Sequence, residues 1–260
     1  NSEMSGSTLD ASFARPLVHP DGLYIFWQAL GRGAQRIYVL EPDTSVVSPV
    51  LSGVNFRDGQ RAKRDIVTVA WTLPQDPSGI SGFSYSWSQD PYLEPPRTLM
   101  SYSAVTSLEQ NADKDGTWYF SLRAQDYAGN WSDVSRISFV RDTTPPPAAN
   151  IVLPELDNNG YLESNTFTIR WNPQTAYDIR GYTWSLEYIA PLSRYGDMEP
   201  ESFYSAVQTS YPGTQVPQRV MGTDTLVSFT NQDNGVWRFS LAAVDQVGNI
   251  GPVSNAYFRM

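Results

Sequence analysis

The sequence predicts an all-β chain made of two tandem antiparallel β-sandwiches. Three observations carry that expectation. A long stretch near the middle, "DGTWYFSLRAQDYAGNWS" from Asp115, returns as "NGVWRFSLAAVDQVGNIG" from Asn234, so that Trp118, Asp126 and Asn130 match Trp237, Asp245 and Asn249 at a constant offset. Upstream, "IVTVAWTLP" at Ile66 parallels "TFTIRWNPQ" at Thr166, which pairs Trp71 with Trp171. Finally, the apolar residues alternate with a period of two and no window shows a helical period, while 18 Gly and 19 Pro punctuate the 260 residues. Such punctuation suits many short strands, and internal repeats of this length mark repeated domains.

The elements follow in order. Residues 1–44 carry a β-hairpin at about 13–41 that echoes the end of the first copy and reads as the remnant of a preceding repeat. Residues 45–143 form sandwich repeat 1. In "VTVAW", Val67, Val69 and Trp71 share one face; in "TWYFSLRA", Trp118, Phe120, Leu122 and Ala124 do so. A period of two puts such sets on the buried side of a sheet. The linker "RDTTPPPAAN" (Arg141–Asn150) holds three consecutive prolines, which stiffen a chain towards polyproline II. Residues 144–260 form repeat 2, with Trp237, Phe239 and Leu241 repeating the inner face. The second copy carries about 20 extra residues within roughly 190–219 (offsets of 119 downstream against 100 upstream). This insertion, rich in Pro, Gly, Ser and Tyr, reads as a long loop or an irregular hairpin.

Composition excludes several function classes. The net charge of −9 would repel a phosphate backbone, which argues against nucleic-acid binding. There is no cysteine, hence no disulfide, thiolate nucleophile or thiolate-ligated zinc. No apolar run reaches the ~18 residues of a membrane span. The opening residues show no signal-peptide pattern, and a chain opening at Asn1 reads as a fragment or a processed product.

Taken together, a Trp on the second strand (Trp71, Trp171), a Gly-aromatic pair (Gly82-Phe83, Gly181-Tyr182), Gly-x-Trp-x-Phe-x-Leu, Ala-x-Asp-x-x-Gly-Asn and a Thr-Thr-Pro-Pro linker resemble the fibronectin type III and related immunoglobulin-like repeats of large bacterial envelope proteins. The resemblance spans about residues 45–260. It implies a role in adhesion, scaffolding or spacing outside the cytoplasm, periplasmic or on the cell surface, with other protein domains as partners, a glycan as the alternative, and no cofactor.

Candidate sites are few. Asp126 and Asn130, with Asp245 and Asn249, offer oxygens of the kind calcium prefers, but each loop brings two ligands where that ion takes six to eight. A hairpin turn, with Gly-Asn supplying positive φ and Asp accepting N–H groups, accounts for the pattern more simply. Aromatics without an evident inward partner (Trp87, Trp131, Tyr195, Tyr204 and Tyr211) are the candidates for binding a sugar or a protein, since Tyr and Trp are enriched in interfaces. His19, the single histidine, stands in a loop beside proline without a Gly-x-Ser-x-Gly elbow, so no nucleophilic triad is expected. The carboxylates of Asp197, Glu199 and Glu201 read as a solvated loop cluster, and "RDGQRAKRD" (Arg57–Asp65) as a charged connection between strands. The expectation is a non-catalytic structural or interaction module. The alternatives are a carbohydrate-binding or adhesin module, and an accessory region of a larger enzyme.

Overall fold

The structure is a computed structural model that describes residues 11–19, 22–31, 34–40, 43–173, 178–213 and 215–260. The chain divides into two compact units, Asn1–Arg141 and Asp142–Met260, and among the described residues it is all-β apart from two short helices.

Three strands open the first unit: β1 (Ala11–His19), β2 (Gly22–Gly31) and β3 (Ala34–Leu40), an antiparallel meander in that order. That is one strand more than the hairpin expected. Pro16, which reads as a breaker, pairs with Ile25 in β1. β1 is an edge strand, where a missing backbone N–H is tolerated. Asp21, Arg32 and Gly33, on which the echo of the repeat partly rests, lie outside the described residues.

The sandwich of the first unit stacks two sheets. One has the order β4-β6-β9, from β4 (Leu51–Gly53), β6 (Ile66–Trp71) and β9 (Ser107–Asn111). The other has the order β5-β11-β10-β7-β8, from β5 (Gln60–Ala62), β7 (Ile80–Ser88), β8 (Ser101–Tyr102), β10 (Gly116–Asp126) and β11 (Ser135–Arg141). The basic run Arg57–Asp65 carries β5, which pairs parallel with β11. The alternation in β6 buries Val67, Val69 and Trp71, which face Phe83, Phe120 and Leu122 from the opposite sheet. Trp71 meets Phe83 edge-on and stacks on Phe120. Such aromatic pairs add about 0.5–1.5 kcal/mol to the burial of their area.

The second unit repeats the plan with β12 (Ile151–Val152), β13 (Phe167–Trp171) and β15 (Leu226–Phe229) in one sheet, order β12-β13-β15. β14 (Ile179–Ala190), β16 (Val236–Asp245) and β17 (Ser254–Arg259) form the other, order β14-β16-β17. Trp171 meets Tyr182 edge-on and stacks on Phe239, the arrangement of Trp71 in the first unit.

The insertion departs from expectation. It is not an irregular hairpin: it forms α1 (Leu192–Tyr195) and α2 (Pro200–Ser210). Pro200 stands at the start of α2, where a missing N–H costs nothing, and Glu201 places negative charge in the first turn. Phe203 and Val207, one turn apart, are fully buried. With Ala190, Tyr195, Val236 and Tyr257 they form a separate core outside the sandwich. The helix is hard to see in the sequence because only those two residues, followed by Tyr211, mark its apolar face. Ser202, Ser205 and Ser210 compete for backbone hydrogen bonds and Thr209 is β-branched, so the segment's helical propensity is modest.

Candidate functional site

The Asp-x-x-Gly-Asn stretches are turns at the same corner of each sandwich. In the first unit Gly129 adopts φ +94° and in the second Gly248 adopts φ +83°, the left-handed region open to glycine. The carboxylate closes the turn. Asp126 Oδ1 accepts the Asn130 N–H at 2.7 Å and Oδ2 accepts the Asn130 side-chain amide at 2.7 Å. Asp245 Oδ1 accepts the N–H groups of Val247 at 3.0 Å and Asn249 at 2.7 Å, while Oδ2 takes the Asn249 amide at 2.7 Å. Both aspartates are buried.

The asparagine then does something the sequence does not announce. Asn130 Nδ2 also donates to the Asp43 carbonyl at 2.9 Å. Asn249 Nδ2 donates to the carbonyls of Asp142 and Thr144, each at 3.4 Å. In both units the turn therefore grips the segment of chain that enters the sandwich. The serine of the following strand adds a second tie, as Ser135 Oγ donates to the Pro49 carbonyl and Ser254 Oγ to that of Ala149.

The same corner gathers carboxylates. Asp43, Asp76 and Asp126 each place one oxygen within 4.8 Å of the others in the first unit, and Asp142, Asp178 and Asp245 do so in the second. Three oxygens at that spacing could face one cation and supply about half of the six to eight a calcium ion takes. The set differs from the one the sequence suggested. Asp126 and Asp245 belong to it, but Asn130 and Asn249 turn their amide N–H groups towards the aspartate and the linker. The four other aspartates come from the linker and from the loop before β7 or β14.

The aromatic candidates are placed as follows. Trp87 stacks on Trp118 with centroids 5.2 Å apart, and its indole N–H donates to the Asn111 carbonyl at 2.9 Å. Trp131 is half-buried and bridges Gln125. Tyr195 is buried, Tyr211 is half-buried and accepts from Arg194 Nη1 at 2.9 Å, and Tyr204 is half-buried on α2. Asp197, Glu199 and Glu201 are all exposed. The side chain of His19 lies outside the described residues.

One residue that sequence reasoning passed over organises the insertion. Arg259, at the end of β17, is fully buried. Its Nη1 donates to the carbonyls of Tyr195 at 3.1 Å, Gly196 at 3.2 Å and Met198 at 2.7 Å, and its Nη2 to that of Asn159. The guanidinium lies 4.6 Å from the Tyr161 ring centroid and 4.5 Å from that of Phe203. The only sequence signal was an arginine that alternates with Phe258 and Met260, on the face of the closing strand turned away from the sandwich core.

Fold and corner together define an all-β chain of two β-sandwich units. No family model matches it, and no curated protein matches it. Among solved structures it is similar to the fibronectin(III)-like modules of Clostridium thermocellum CbhA, with a TM-score of 0.37 and 12% identity over 81% of this chain and 94% of that one.

Proposed function

We propose that this chain is a non-catalytic spacing and interaction region of a larger bacterial envelope protein, exported to the periplasm or cell surface, whose partners are other protein domains. The observation that carries this reading is the repeated corner, in which Asn130 and Asn249 each hold the incoming linker by its carbonyls. A spacer must fix the direction in which chain enters a module. Hydrogen bonds to the entering backbone, next to a proline-rich linker, do that. The interiors support the same reading: each sandwich is filled by its own aromatic and aliphatic side chains, which leaves the fold to carry load and position.

Small-angle scattering on the whole chain tests the proposal. The expected profile is that of two bodies held at a defined separation. A profile that only a freely tumbling pair can fit contradicts it.

A further inference from the structure

The two units close the outer edge of their last strand differently. In the first, Ser138 of β11 points its backbone away from β10: its N–H donates to Asp58 Oδ1 at 2.8 Å and its carbonyl accepts from Gly59 N–H at 2.9 Å. β5 then continues the cover along Phe139–Arg141. The matching residue of the second unit is Tyr257, because Tyr119 pairs with Ser138 as Arg238 pairs with Tyr257. The outer edge of β17 is taken at Arg259, whose carbonyl accepts from Leu162 N–H at 2.8 Å. Strand alternation makes Asn255 and Tyr257 the next outward backbone positions, and no loop corresponding to Asp58-Gly59 meets them among the described residues.

That opening is the floor of a groove of about 550 Å³, walled on one side by Asn150 and Ile151 at β12 and roofed by Tyr204 and Gln208 of α2. The volume lies within the range of small-ligand sites, ~300–1,000 Å³. In an acidic chain the lining contains no Asp, Glu, Lys or Arg. The side-chain amides of Asn150 and Gln208 and the hydroxyl of Tyr204 have no hydrogen-bond partner among the described residues. Neutral groups that both donate and accept match hydroxyls, which do the same. The length argues against an added strand. Only two outward positions are open, ~7 Å of edge, and the edge is closed at one end by the Ser254–Ala149 bond and at the other by the Tyr161–Arg259 bridge.

We propose that this groove binds a small uncharged saccharide, one or two rings long, with Gln208, Asn150 and the Tyr204 hydroxyl meeting its hydroxyl groups and the Tyr257 backbone lying beneath it. The proposal stands independently of the spacing role.

The test is amide chemical-shift titration of the whole chain with glucose, galactose, mannose, N-acetylglucosamine, cellobiose, maltose and lactose. At least one is expected to shift the amides of Asn255, Tyr257 and Gln208 saturably, with a Kd of about 1 mM or tighter. Gln208→Ala, on the exposed side of α2, and Tyr204→Phe are each expected to weaken that binding about three- to tenfold, one hydrogen bond's worth, with the rest of the spectrum unchanged. The proposal fails if no sugar shifts these amides at ~50 mM, well above weak-site affinities. It fails equally if the shifts map elsewhere or if both substitutions leave affinity untouched. Saturable shifts at the same amides with an uncharged Ser/Val hexapeptide, and none with the sugars, would mean that the edge takes a strand.

Discussion

At the scale of single residues, two buried polar groups do much of the holding in the second unit. Arg259 brings a positive charge to a site with no carboxylate partner among the described residues. Four carbonyls and two rings replace the water it loses. Replacing it with Met keeps the length but leaves those carbonyls unpaired, so Arg259→Met is expected to destabilise by about 2–4 kcal/mol in chemical denaturation. Limited proteolysis should then cut first between 191 and 213, the segment whose carbonyls it holds. Asp245, also fully buried, accepts three hydrogen bonds within its turn. Asp245→Ala is expected to cost about 2–3 kcal/mol, since buried N–H groups lose a charged acceptor. The turn itself was legible from Asp-x-x-Gly-Asn, because a turn is local chemistry. The grip of Asn130 and Asn249 on the linker was not, because the partners stand 87 and 107 residues away.

At the scale of elements, the strands that bury one face only could be read from alternation. β6 and β13 bury every second residue. β10 and β16 are buried on nearly every residue along their second halves, and there the recurring Trp-x-Phe-x-Leu marked the inner face. Helix α2 escaped that reading because its role is to cover a small third core with two side chains. Phe203→Ala is expected to lower stability by about 3–4 kcal/mol, the cost of a large cavity in a fully buried site, and to reduce the helical signal in circular dichroism. The repeated Gly-aromatic pair has an element-level cause too. A Cβ on Gly82 would lie 2.1 Å from the Ser101 carbonyl oxygen, and one on Gly181 2.6 Å from that of Gly222. Each glycine lets a neighbouring segment cross against the strand. Gly181→Ala is expected to break the pairing of Tyr182 with Gly222, read as faster hydrogen exchange of the Tyr182 and Met221 amides.

At the scale of the whole molecule, the repeat makes the tandem plan legible from the residues alone, and the proline-rich joint between the copies is legible with it. How the joint is held is not, since that depends on a side chain at the far end of the following unit reaching back to Asp142 and Thr144. In the spacer proposed above, that reach is what fixes the linker. It can be tested by a pulsed electron-spin distance distribution between labels on the exposed positions Glu109 and Thr230, introduced as cysteines in a chain that has none of its own. A narrow distribution that broadens markedly in Asn249→Ala is the predicted result. A distribution equally broad with and without that substitution would contradict the spacer role.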